Sequence, residues 1–283
     1  MGDHCQIFIK HITKMEFFTI LLSSLLTIIS PAGLVVDSTA ESAIRSRLDK
    51  VEQLQVRVDN APSYQLLQGK VQRLRVAGRG LWSIPGLRIE ALELETDPIA
   101  VDLERLGTGD HTSIQKPLQA GVRLVLIKED INQALRSPLV SEKLRQLASS
   151  FLPPAIVQKY QFLNPQVEFL GNNRLRFQVE LVEANAQPLL LTIESGVSIL
   201  TGRQLQLVQP VVAVNGQPLP PQLVAALTSG ISNKFDLRTL EETGIIARIL
   251  KLKVDNDRLE LASFLRVEIP NQISVPSQQK NEK

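Results

Sequence analysis

Residues 70–96 read KVQRLRVAGRGLWSIPGLRIEALELET, and their period decides the fold class. Apolar and polar residues alternate through 87–96, the pattern of a β-strand with one buried face, whereas a helix would repeat every three to four residues. Residues 70–79 read as a second strand, and Pro85-Gly86 between the two is a turn signal. Within 87–96 the apolar set shifts from Leu87, Ile89 and Ala91 to Leu92 and Leu94, a one-residue slip that a β-bulge would produce. The connection GRGLWSIPGL (78–87) is itself apolar, with Leu81, the chain's sole tryptophan Trp82, Ile84 and Leu87. Hairpin connections run over the surface and are usually polar, so this one needs its own explanation.

The same period extends outward. Residues 53–59 and 98–105 read as strands, the latter with Ile99, Val101 and Leu103 alternating with Ala100, Asp102 and Glu104. Residues 118–127, which include Leu124 and Leu126, form a more continuously apolar strand, and KEDINQAL (128–135) follows as a short helix ahead of Pro138. Ser137-Pro138 opens a further helix bearing Val140, Leu144 and Leu147. Strands at 161–169, 173–183, 188–200 and 203–214 make a meander with turns at Asn172-Asn173, Thr201-Gly202 and Asn215-Gly216. Its clearest inward stripe is Leu175, Phe177, Val179 and Leu181. A helix opens at Pro220-Pro221, a shorter one ends at Gly244, and strands at 245–254 and 258–268 close the folded part.

Ahead of the strands lies FFTILLSSLLTIISPAGLVV (17–36), without a charge. As a helix it would span about 30 Å, the hydrocarbon thickness of a bilayer. Lys10 and Lys14 precede it, the polarity of an export signal or an N-terminal anchor, and Met15 offers a second start after Met1. Val36, Ala40, Ile44, Leu48 and Val51 continue at helical spacing and predict a long amphipathic helix. Cleavage after Ala40 would split that helix, whereas an uncleaved anchor or cleavage near Ala32 would not. The alternative for 17–36 is a buried core helix of a soluble protein. The chain thus divides into a signal or anchor at 1–36, one α+β domain at 37–268 and a polar, disordered tail at 269–283.

Composition excludes more than it identifies. With 31 basic and 29 acidic residues and 4% aromatic content, the chain has neither the basic field nor the stacking platforms of a nucleic-acid binder. The lone cysteine, Cys5, permits no internal disulfide. His4, His11 and His111 all lie outside the predicted strands and helices, so no histidine base or histidine metal cluster is expected. Ser113 and Lys116 match a Ser-x-x-Lys spacing, but Pro117 removes the helix that would align them. Glu90, Glu93, Glu95 and Asp97 cluster along alternating strand faces, and Asp255-Asn256-Asp257 is a turn. Neither has metal-loop spacing, and no metal or other cofactor is expected. Arg73, Arg75 and Arg79 share a strand face, with Arg88 beyond the connection. They form either a solvated, basic sheet face or a contact for anionic head groups.

The phrases YQLLQGKVQRLRVAGRGL (64–81), PGLRIEALELETDPIAVDL (85–103) and LQAGVRLVLIKEDINQAL (118–135) resemble the bacterial LmeA-like phospholipid-binding family. The resemblance covers roughly residues 40–268. It implies an envelope protein with a tubular lipid-binding architecture: a curved antiparallel sheet wrapped around a long helix and enclosing an apolar channel. Residues and resemblance together lead to a non-enzymatic α+β protein without cofactor that holds phospholipid acyl chains at a membrane surface. It would be anchored in or exported to the cell envelope, on the periplasmic side. The alternatives are a structural or assembly factor for a protein partner, and a lipid hydrolase, which the missing nucleophile-base pair disfavours.

Channel-lining candidates are Ile99, Val101, Leu103, Leu124, Leu126, Leu175, Phe177 and Val179. The tip GRGLWSIPGL has two readings. Either Leu81, Trp82 and Ile84 dip into a bilayer while Arg79 and Arg88 meet anionic phosphates, or Trp82 folds back over the end of the core.

Overall fold

The computed structural model describes residues 41–268, except for 43, 47, 62, 85, 101–114, 139, 141, 143–144, 147–148, 150–153 and 185. The first half contains β1 (Lys50–Asp59), β2 (Lys70–Val71), β3 (Arg73–Ile84), β4 (Leu87–Thr96), β5 (Ile99–Ala100), β6 (Leu118–Ile127) and α1 (Lys128–Leu135). The second contains α2 (Pro154–Lys159), β7 (Gln161–Gly171), β8 (Arg174–Val182), β9 (Leu189–Leu200), β10 (Gln204–Val214), β11 (Gln217–Pro218), α3 (Pro221–Lys234), β12 (Ile245–Val254) and β13 (Arg258–Val267). A 3₁₀ helix, Leu237–Thr243, ends at Gly244 in the left-handed conformation, as expected of a glycine stop.

Two antiparallel sheets dominate. One has the order β1-β3-β4-β6-β13-β12, the other β11-β10-β9-β8-β7. The second is the expected meander, each strand beside its sequence neighbour. Its turns use residues that tolerate left-handed backbone, among them Asn172 (φ 49°), Asn173 (φ 58°) and Asn215 (φ 49°). The first sheet joins strands of the first half to the last two described strands. β6 lies beside β13, with Leu118 opposite Val267 and Ile127 opposite Arg258.

Both sheets have covered edges. Asn173 Oδ1 accepts from the Val254 N–H at 2.7 Å, and the Asn173 N–H donates to the Val254 carbonyl at 3.1 Å. Farther along β12, the Ile249 N–H donates to the Gly202 carbonyl at 2.7 Å. The turns of the meander therefore seal an edge strand that would otherwise offer its backbone to another chain. At the meander's other edge, Asn132 of α1 imitates a strand partner: Nδ2 donates to the Val167 carbonyl at 2.8 Å and Oδ1 accepts from the Val167 N–H at 2.7 Å.

Register places Leu54 and Val56, Val76, Leu94 and Val122 on one face of the first sheet. With Leu265, Ala247 and Ile44 they belong to the larger buried core. A second cluster, Phe169, Val197 and Val254, forms where the two sheets meet.

Several expectations are corrected. The fold is mostly antiparallel β, and among the described residues no long amphipathic helix is wrapped by a sheet. Glu41, Ser42, Ile44 and Arg45 are helical, but β1 starts at Lys50, and Val51 stands opposite Leu81 in the sheet. The β-branched Val51, Val56 and Val58 fit a pleated surface, and pairing of β1 from end to end with β3 outweighs a helical spacing shared by five residues. The longest described helix, α3, has 14 residues and lies against β10. Of 98–105, Ile99-Ala100 pairs with β2, while Val101 and Leu103 lie outside the described residues. So do Leu144 and Leu147 of the expected helix after Ser137, the apolar segment 17–36 and the tail 269–283.

The phase slip in β4 is not a bulge. Strands β3 and β4 stay in register from Arg79–Ala91 to Trp82–Arg88, yet burial switches in both, from Gly78 and Leu92 to Leu81 and Ile89. Gly80 between them has φ 55°. A Cβ on Gly78 would lie 2.7 Å from Leu81 Cδ1, so Leu81 folds back over the bare glycine. Both strands therefore change their buried face together at Gly80 with no inserted residue there, and the register shift of this pair lies beyond it, between Trp82 and Ile84.

Candidate functional site

Beyond the larger core the apolar face continues as rows of incompletely buried side chains. Leu124 stands opposite both Leu92 and Leu261, and Leu126 opposite Leu259. Leu124, Leu126, Leu259 and Leu261 are half-buried, although β6 and β13 are central strands. On the meander, Phe177 stands between Val167 and Ile193, and Leu175 between Phe169 and Ser195. Leu175, Phe177 and Ile193 are likewise half-buried, whereas Val179, on the same face, is 2% exposed. The rows meet at the Phe169–Val197–Val254 cluster, where Leu175 from one sheet and Leu252 and Leu259 from the other pack together. A continuous aliphatic surface thus runs from one sheet onto the other. Ile99, also expected to face inward, is 4% exposed and belongs to the larger core.

The apolar connection has a plain answer: it is sheet. Strand β3 runs to Ile84, which pairs with Leu87, so Leu81 through Ile84 are strand residues rather than a loop. Leu81, expected at a bilayer contact, is 1% exposed in the core. The half-buried Trp82 ring lies under Lys50 Nζ at 4.7 Å and Arg88 Cζ at 5.5 Å, two cation–π contacts. Arg88, expected on a phosphate, is committed to carboxylates: Glu90 at 2.6 Å, Asp130 at 2.9 Å and Glu52 at 3.1 Å. Glu52 first, then Glu90, raises the Arg88 pKa further above its ordinary value, and Arg88 holds Glu52 below the usual carboxylate range. Because Asp130 is buried in the first turn of α1, this hub ties the helix to β1 and β4.

The remaining basic candidates are mostly paired. Arg73 meets Glu95 at 3.0 Å and Arg75 meets Asp59 at 2.7 Å, which makes this face a solvated lattice of ion pairs. Arg79 is exposed and has no carboxylate partner among the described residues. The clustered acids are likewise matched, Glu93 with Arg123 and Asp257 with Arg258. Among the described residues no three potential ligands gather to hold a metal. His111 and Ser113 lie outside the described residues.

Sequence reasoning missed Leu252, Leu259, Leu261 and Ile193 as members of the aliphatic surface. Alternation in RLELASFLRV (258–267) marks Leu259 and Leu261, so that signal was present. The Arg88 hub had none, since Glu52 and Asp130 are 36 and 42 residues away in the chain.

Against known proteins, the model of the LmeA-like phospholipid-binding family matches residues 29–264. No curated protein and no solved structure matches the chain. The matched span contains both sheets and the whole aliphatic surface between them apart from the last residues of β13. The chain belongs to the LmeA-like phospholipid-binding family.

Proposed function

We propose that this chain is a non-catalytic phospholipid-binding protein of the cell envelope, which holds acyl chains along the aliphatic surface shared by its two sheets while head groups stay outside. The observation that carries this is the half-burial of Leu124, Leu126, Leu261, Phe177 and Ile193 at central positions, where a finished core would be sealed. Each methylene moved from water onto such a surface contributes about 0.8 kcal/mol, so about ten of them supply about 8 kcal/mol without any polar contact. Acid–base chemistry is disfavoured. Glu52, Glu194 and Glu260 are held below the usual carboxylate range by arginine partners, the reverse of what a general acid requires. Residues 17–36, with Lys10 and Lys14 ahead of them, support an anchored or exported protein.

The test is lipid extraction and mass spectrometry of the purified full chain. Near-stoichiometric phospholipid is expected. A protein free of lipid that also fails to take it up from dispersed phospholipid would overturn the reading, and turnover of the lipid would make it a hydrolase. Full-length protein, residues 17–36 included, recovered soluble from the cytoplasm would refute the envelope assignment.

A further inference from the structure

Residues 204–233, bracketed by Arg203 and Lys234, contain no aspartate, glutamate, lysine or arginine. At the chain's 21% charged content, a run of that length would carry about six. Burial does not account for the difference. The run forms β10, β11 and α3, and along it Val208 (41%), Val211 (52%) and Leu223 (53%) are exposed. Pro218, Pro220 and Pro221 are exposed as well. Leu190, 40% exposed, joins the same patch: its N–H donates to Asn215 Oδ1 at 2.8 Å and its carbonyl accepts from the Asn215 N–H at 2.9 Å. A cleft of about 400 Å³ lies between α3 and the β10–β11 hairpin, lined entirely by uncharged residues that include Val211, Pro218, Pro221 and Val224. The charges nearest the run belong to its neighbours on the same side of the meander: Glu194 stands opposite Val211 and is paired with Arg176, and Glu180 stands opposite Leu190.

We propose that the surface built from this uncharged run, with Val211, Pro218 and Leu223 foremost and Leu190 beside them, is the one that docks on a lipid bilayer. The proposal rests on the phospholipid-binding reading and deepens it by naming where the protein meets the source of its ligand. The route of the ligand favours a bilayer over a protein. A phospholipid has to leave a bilayer to reach the aliphatic surface, and a docked protein spares its acyl chains passage through water. Asn215, Gln217 and Gln222 are exposed beside the aliphatic side chains and supply neutral hydrogen-bonding groups suited to a head-group layer. Docking of this kind does not depend on anionic lipid, in contrast to a basic cluster.

The experiment uses the full chain with Cys5→Ser and Leu223→Cys, labelled at residue 223 with an environment-sensitive dye and mixed with phosphatidylcholine vesicles. A local dye reports this face whether or not residues 17–36 hold the protein to the vesicle. Its emission should move to the blue and be quenched by spin-labelled phosphatidylcholine, with no loss when salt is raised to about 0.5 M. The same dye at Gln53→Cys, on β1, should not be quenched. Adding Val211→Glu should raise the vesicle concentration needed for half-maximal quenching by about tenfold or more. An unquenched dye at 223, or quenching indifferent to Val211→Glu, overturns the docking face. So does a blue shift that follows protein concentration rather than lipid, which marks a contact between copies. Lipid content measured by extraction from the same preparations reports the underlying reading separately: lipid present with an unquenched dye rejects only the docking face.

Discussion

Replacing Ile193 by tryptophan separates a lipid-lined surface from an ordinary core. Ile193 sits on β9, flanked in register by Phe177 and Val212, and is half-buried. If the space above it belongs to an acyl chain, the larger ring takes the room of about three methylenes. At about 0.8 kcal/mol each, lipid binding weakens by about 2.4 kcal/mol, or roughly sixtyfold. The lipid-free protein should stay within about 0.5 kcal/mol of the parent, because nothing in it is overfilled. If the space is instead packed, overfilling costs about 1 to 3 kcal/mol of stability and leaves lipid affinity unchanged. Val179→Trp is the internal control: Val179 lies on the same face but is 2% exposed, so it should show that loss of stability. The assays are urea unfolding of delipidated protein followed by circular dichroism, and titration with a fluorescent phospholipid. Delipidation matters because bound ligand itself raises apparent stability. An Ile193→Trp protein destabilised like Val179→Trp, with parental lipid affinity, would refute the lipid-lined surface.

Other consequences concern the scaffold. Arg88→Met strands Asp130, whose side chain is 10% exposed, and should cost about 2 to 3 kcal/mol, between the values for surface and fully buried pairs. Asp130→Asn in that background should recover much of the loss, and strict additivity of the two substitutions in urea unfolding would argue against the hub. Leu81→Ala should cost about 2 to 5 kcal/mol. Gly78→Ala should also destabilise, because its Cβ would lie 2.7 Å from Leu81 Cδ1, and a neutral Gly78→Ala would refute the fold-back. Glu194, hydrogen-bonded by Arg174 and then Arg176, titrates below its ordinary 4.5 in the folded state. The unfolded state therefore takes up the proton first, so this contribution is complete above pH 4.5 and is lost as the pH falls through the lower folded value. Unfolding midpoints measured across that range should decline less steeply in Glu194→Gln, and an identical decline would remove Glu194 from the account.

What the chain reveals without its structure is what neighbours in sequence decide. Alternation placed β4, β8 and β13, and KEDINQAL matched α1 residue for residue. Asn172, Asn173, Asn215 and Gly244 marked turns and a helix end because left-handed backbone is a property of the residue itself. The aliphatic row through Leu175, Phe177 and Val179 was legible for the same reason, since a period of two states which face is apolar. It does not state what lies opposite that face. The pairing of β6 with β13, which brings the last two described strands into the first half's sheet, is a choice between distant strands of similar pattern. The failed helix through Val51 shows the same limit: an i, i+4 spacing was present, and a partner strand outweighed it. A slip in β4 read alone looks like an inserted residue, and only β3 changing its buried face alongside it at Gly80 shows that none is inserted there. Charge behaves likewise. In the sequence Arg88 reads as available to a phosphate, whereas tertiary structure brings Glu52 and Asp130 to it, because valence belongs to a residue and its counter-ion is supplied by the fold.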